Sequence, residues 1–312
     1  QDETVGTQKQ FAPPVYNKFL DESYKIAGKV EMIHPARFLF DAGATPKEWN
    51  QKMLNDPHLK VLFHEQESSK VFANTDIKGG VAITYRDTTK NFGAIGTYTA
   101  FPELNGILRK TISKEGFRTF SSIIANRGLY RFSKKAYVEH PQELAKMTDS
   151  RVGASSFERM PSLFTEEKPL DEYDYAQFLG LLKGKRIYRW FRRDYFNDVV
   201  SFERYKVLLP AANGSGALGE VLSTPLIGQP LIGHTETFLS LGCFVNEQEA
   251  EACMAYIKSK FCRALLGVLK ITQHNSAEKW KYVPLQDFTA HSDIDWSKSV
   301  AEIDRQLYRK YD

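Results

Sequence analysis

The sequence predicts an α/β sheet over residues 1–90 followed by a mixed α+β region over residues 91–312. Helical and strand-like periods alternate through the first ninety residues, and this rhythm breaks after Asp87-Thr88-Thr89-Lys90. Beyond that point short strands, basic helical pieces and turns are mixed. The 312 residues, 42% hydrophobic and 26% charged, have the length and balance of a globular protein with a substantial core.

Residues 14–27 place Val15, Phe19, Leu20, Tyr24 and Ala27 on one broad helical face, with Pro14 in the first turn and Gly28 at the stop. KVEMI (29–33) then reads as a short buried strand. Thr45-Pro46-Lys47-Glu48 combines an N-cap, a first-turn proline and a capping-box glutamate ahead of Trp49, Met53 and Leu54, and Asn55-Asp56-Pro57 ends that helix. LKVLFHE (59–65) and GVAITYR (80–86) are β-rich runs separated by the polar loop SSKVFANTDIKG. Farther on, Asn246 with Glu249 caps one long helix, in which Ala250, Cys253, Ile257, Phe261, Leu265 and Val268 recur at helical spacing. Ser299 and Glu302 open a last helix carrying Val300, Ile303 and Leu307.

No apolar run approaches the roughly eighteen residues of a membrane span, and the first thirty residues lack the pattern of a signal peptide. Both predict a cytoplasmic protein with no membrane partner. Cys243, Cys253 and Cys262 form no C-x-x-C pair, and the seven histidines fall into no ligand spacing, so reduced thiols and no metal site are expected.

Charge distribution says more than the net +4. Arg109 to Lys135 holds eight cations against the single acid Glu115, and Lys183 to Lys206 holds eight against Asp194, Asp198 and Glu203. Two basic segments on a nearly neutral chain point to a polyanion. The DNA-binding candidates are Arg118, Arg127, Arg131 and Lys134 in the first, and Lys185, Arg186, Arg189, Arg192, Arg193 and Lys206 in the second. RIYRWFRRDYF (186–196) interleaves cations with rings. As a helix it sets Arg186, Arg189 and Arg193 on one face, and its alternation reads equally well as a strand. Neutralising Arg189 with Arg193 is then expected to weaken salt-dependent DNA binding.

Gly214-Ser215-Gly216-Ala217-Leu218-Gly219 matches G-x-G-x-x-G, but Pro225, Gly228 and Pro230 cut off the helix that a dinucleotide site requires. Asn213 and Ser215 thus lie in a turn whose amides touch a DNA phosphate, or in a plain loop. Thr272, Gln273 and His274 offer side chains able to read base edges and also make an ordinary polar loop. Glu166-Glu167-Lys168 gives the E-x-K of some nucleases without a strand before it.

The opening FAPPVYNKFL (11–20) raises the Asn-Pro-Pro-Tyr motif with which amino-methyltransferases grip a flipped adenine. Ala12 replaces the required Asn and Val15 separates Pro14 from Tyr16, so the stretch reads as the entrance to a helix. Longer strings carry a resemblance. KVEMIHPARFLFDAGATPKEWNQKMLNDPHLKVLFHEQESSKVFANTDIKGGVAITYRD, ANGSGALGEVLSTPLIGQPLIGHTETFLSLG and KWKYVPLQDFTAHSDIDWSKSVAEIDRQLYRKY resemble the C-terminal part of adenine-specific DNA methyltransferases of restriction-modification systems, of the type IIG kind above all.

That resemblance implies that residues 1–90 are the half of a Rossmann-like, methyltransferase-type α/β domain that follows Asn-Pro-Pro-Tyr. It implies that residues 91–312 are a target-recognition domain for double-stranded DNA. Ser69-Lys70-Val71-Phe72 resembles the segment whose phenylalanine stacks on the extruded adenine, while Phe72 otherwise reads as a loop aromatic plugging the sheet edge. With neither Asn-Pro-Pro-Tyr nor a cofactor loop, no cofactor is expected on this chain alone. S-adenosylmethionine would serve the parent enzyme, with magnesium if that parent carries a nuclease, and an upstream catalytic segment would be the partner. The alternative is a restriction endonuclease or methyltransferase active only once that segment or a partner chain is supplied.

Overall fold

The computed structural model describes residues 13–99 and 101–312. Ala12 and the side chain of Arg109 lie outside the described residues. The chain divides into two compact units, 1–106 and 107–312, with the division past residue 90.

In the first unit, α1 (Tyr16–Ile26) follows Pro13-Pro14 and leads into β1 (Lys29–Pro35). A 3-10 turn, Ala36–Phe40, precedes α2 (Lys47–Leu54). Thr45 does not cap α2 as expected: the N-cap is Pro46, and the Thr45 hydroxyl donates to Asn50 Oδ1 at 2.6 Å. β2 (Leu59–Glu65) and β3 (Val81–Asp87) complete a sheet of order β1-β3-β2, both outer strands antiparallel to β3. The helices cover one face. Tyr16 of α1 stacks on His34 at 5.8 Å, the Arg86 guanidinium lies 4.7 Å from the Tyr24 ring, and Trp49 of α2 packs edge-on to Phe38. On the other face Ile33 and Phe63 flank Ile83 in register and remain 45% and 44% exposed, so this apolar row lacks a cover among the described residues.

α3 (Pro102–Ile112) runs across the division into the second unit. There α4 (Lys134–Glu139), α5 (Pro141–Leu144) and α6 (Ser156–Arg159) precede the hairpin of β4 (Tyr175–Leu182) and β5 (Lys185–Arg192). β6 (Tyr205–Pro210), β7 (Leu226–Gly228), β8 (Ile232–His234) and β9 (Phe238–Phe244) follow. They build two three-stranded sheets, β5-β4-β8 and β7-β6-β9, with β8 parallel to β4. Rings fill the space beside the first sheet: Phe164 stacks on Phe191 at 4.4 Å, and Phe178 meets Phe196 at 4.9 Å and Tyr130 at 5.0 Å. Gly233 stands opposite Phe178 in the parallel ladder, where any side chain would strike that ring.

The long capped helix is in fact two, α7 (Glu247–Lys258) and α8 (Lys260–Gly267). Ser259 leaves the helical conformation and its hydroxyl caps Cys262 N, while Asp304 of α9 (Val300–Tyr311) accepts the N–H groups of Lys260 and Phe261 at 3.0 and 2.9 Å. Apolar periodicity runs through Ser259 because both helices bury the same side, so spacing alone hides the break. Asn246 and Ser299 cap α7 and α9 as their sequences predict.

Candidate nucleic-acid interface

The second basic segment is a strand, not a helix, so Arg186, Arg189 and Arg193 share no helical face. β4 and β5 are joined by the two-residue turn Lys183-Gly184, whose positive φ values of 50° and 76° fit the turn that matches strand twist. Its tip presents exposed Lys183, Lys185 and Arg186. Arg186 Nη1 donates to the Thr224 carbonyl at 2.8 Å, which ties the tip to the end of the glycine-rich loop. Among the described residues neither Lys183 nor Lys185 has a carboxylate partner. Lys183 was absent from the sequence candidates, and of the two turn residues only Gly184 is of a type that marks such a turn.

Other members of that segment are engaged internally. Arg189 pairs with Glu166, and Arg193 pairs with Asp198. Arg192 is 7% exposed, bonded to Glu139, Asp194 and the Tyr195 hydroxyl, with its guanidinium 3.4 Å from the Tyr173 ring centre. Lys206 is wholly buried; its ammonium donates to the carbonyls of Ser201, Arg204 and Gln229 at 3.0–3.1 Å, and burial pushes its pKa down to about 8. Arg192 and Lys206 are therefore core residues and not DNA contacts. Counting charges locally missed this because Glu139 and Glu166 come from distant parts of the chain.

In the first segment, Arg127 lies 3.6 Å from Glu236, and Arg131 donates to Ser150 Oγ at 3.0 Å while remaining exposed. Lys134 is exposed at the start of α4, beside the 193–197 stretch through the Ser133 N–H to Tyr195 carbonyl bond. Arg118 is exposed but sits apart, where its carbonyl accepts Leu285 N.

The structure brings together the two polar loops that the sequence left separate. Ala212 bridges His274, Asn213 N donates to the Gln273 carbonyl at 2.6 Å, and Asn275 N donates to the Ala211 carbonyl at 3.0 Å. Ser215, Gln273 and His274 are exposed on this joined platform and Thr272 is half-buried. Asn213 is not available to DNA: it is 7% exposed, and its Oδ1 accepts Ser223 N at 2.6 Å to fasten the loop. Gly216, at φ 92°, passes so close to the backbone of Ile271 and Thr272 that no side chain fits.

The glycine-rich loop is not followed by a helix, and the amides of Ser215 and Gly216 are already engaged. Ser215 N donates to the Glu220 carboxylate at 2.8 Å and Gly216 N at 3.1 Å, while the buried Lys270 ammonium bonds both Glu220 and the Asn213 carbonyl. A carboxylate held by amides and an ammonium stays ionised, and the Glu220 pKa is lowered accordingly. This loop therefore does not fit an adenosyl cofactor, and in this conformation the Ser215 and Gly216 amides are closed to a DNA phosphate.

Phe72 lies on the turn after the 3-10 segment Ser68–Lys70 and is 43% exposed, with its N–H bonded to the Ser68 carbonyl at 2.9 Å. Glu166 is committed to Arg189, and no group of three metal-ligating side chains forms among the described residues. Among those residues no helix is long and apolar enough to cross a membrane.

The model of the Eco57I restriction-modification methylase family matches residues 1–72. No curated protein matches the chain. Among solved structures, the type IIG restriction endonuclease BpuSI is similar at 9% identity and a TM-score of 0.33, over 97% of this chain and 45% of that one. This chain thus spans less than half the length of that protein.

Proposed function

We propose that residues 107–312 read duplex DNA as the target-recognition region of an adenine-specific restriction-modification methyltransferase. In this reading residues 1–106 carry the part of its catalytic domain that follows Asn-Pro-Pro-Tyr. The observation that carries the DNA-binding role is the cationic hairpin tip, Lys183, Lys185 and Arg186, joined through Thr224 to the platform of Ser215, Gln273 and His274. Cations at the tip suit phosphates, and amide, hydroxyl and imidazole groups beside them suit base edges. Exposed Arg131 and Lys134 lie beside residues 193–197, toward the opposite end of the hairpin, and form a separate positive patch.

The family match over residues 1–72 supports the methyltransferase parent. An exposed Phe72 supports stacking on an extruded base, since a duplex hides the adenine amino group until the base leaves the helix. The uncovered row of Ile33, Ile83 and Phe63 supports an accompanying catalytic segment that supplies the missing helical cover. S-adenosylmethionine would be the parent's methyl donor, bound by that segment.

The test is duplex binding by fluorescence anisotropy across a salt series. Replacing Lys183, Lys185 and Arg186 by Gln lowers the slope of log K against log salt by about 0.9 per lost phosphate contact. Replacing the internally paired Arg189 and Arg193 changes it less. A slope left unchanged by the hairpin triple variant overturns the assignment.

A further inference from the structure

We propose that the Asn213–Glu220 loop is an oxyanion site for a backbone phosphate, filled in the free protein by the chain's own Glu220 carboxylate as an internal competitor. The inference rests on the DNA-binding reading for the source of the phosphate, but the site itself stands on local geometry. Two backbone amides converge on Glu220, Ser215 N at 2.8 Å and Gly216 N at 3.1 Å, and the Ser215 hydroxyl lies at 3.4 Å. Behind the carboxylate stands Lys270, 1% exposed, whose only other described acceptor is the Asn213 carbonyl at 2.8 Å. Successive amides backed by an ammonium are the chemistry with which proteins cradle phosphate.

The glycines fit the same purpose. A side chain at Gly214 would occupy the space of the Glu220 carboxylate, so the cradle is kept open for an oxyanion. The pocket also faces the right way, because exposed Ser215 sits at its rim on the platform shared with Gln273 and His274. Exchange of one monoanion for another keeps Lys270 neutralised, whereas an empty cradle would leave a buried charge unpaired. Glu220 is only partly buried, with its side chain 15% exposed, and it turns into water as the phosphate enters. DNA binding and loop conformation are thereby coupled through a single displaced side chain.

The experiment compares the full chain with Glu220→Gln and with Glu220→Gln/Lys270→Gln. Without its competitor, Glu220→Gln binds duplex DNA roughly tenfold more tightly, as expected from one charge-assisted hydrogen-bonded contact. Inorganic phosphate raises its Tm above that in chloride of equal ionic strength, while the wild-type Tm does not respond. Adding Lys270→Gln abolishes the phosphate response and lowers the salt slope by about 0.9. If DNA is bound but Glu220→Gln shows neither tighter binding nor a phosphate-dependent Tm, the carboxylate is a structural clasp and the inference falls. If no variant binds DNA while phosphate still stabilises Glu220→Gln, the oxyanion site stands and the DNA reading falls. Should Glu220→Gln not fold, the wild-type protein answers through its 13C-labelled Glu220 carboxylate. Its resonance moves to that of a solvated glutamate on titration with duplex, and an unmoved resonance overturns the proposal.

Discussion

His234 is buried against the Tyr130 ring, 5.1 Å between centroids, and its two nitrogens have unlike neighbours. Nδ1 lies 3.0 Å from the Thr235 carbonyl, which can only accept, so that nitrogen carries the proton and Nε2 accepts the Ser240 hydroxyl at 3.1 Å. Burial pushes the pKa down to about 4 from 6.5, with the Lys206 charge adding to the effect. Between those values the unfolded chain holds a proton that the folded chain refuses, so stability is full above pH 6.5 and falls as pH drops towards 4. The loss attributable to this ring is at most about 3 kcal/mol. Urea unfolding at several pH values checks it: His234→Gln flattens the decline over this window, although part remains because His34 and His64 are shifted in the same direction by burial.

The junction of α7 and α8 depends on a residue forty-odd positions away. Asp304 accepts two N–H groups at the start of α8 and places a negative charge where the helix dipole favours one. Asp304→Ala costs about 1–2 kcal/mol, seen as a lower urea midpoint with an unchanged m-value. An unshifted midpoint removes this account of the break. The same junction shows what the sequence conveyed and what it hid. The strands expected at 29–33, 59–65 and 80–86, observed at 29–35, 59–65 and 81–87, and the caps at Asn246 and Ser299 were legible because their signals are local: β-rich runs, turn residues and side chains three positions apart. The end of the helix at Ser259 was not, because one of its causes, Asp304, is remote. The site followed the same division. Gln273, His274 and Ser215 were singled out by residue type and the fold leaves them exposed, whereas the burial of Arg192, Lys206 and Asn213 follows from partners such as Glu139, Gln229 and Ser223 that only the fold brings near.

The first compact unit has one sheet and the second two, and they differ in how completely those sheets are finished. In the second unit a parallel strand and aromatic packing complete one sheet, and α7 packs on the other. In the first, β1 is an outer strand, and so is β2, but the two edges are unlike. The register of β2 slips between Val61 and Phe63, whereas β1 pairs with β3 without interruption from Lys29 to Pro35. A bulged edge is a poor template and a regular one is a good template. The row of N–H and C=O groups along β1 is therefore adhesive: concentrated protein recruits a further strand there, its own or another chain's. Light scattering that grows with concentration and is suppressed by Glu31→Pro, at a position whose N–H points away from β3, would register it, and a scattering signal indifferent to that proline would show the edge to be inert.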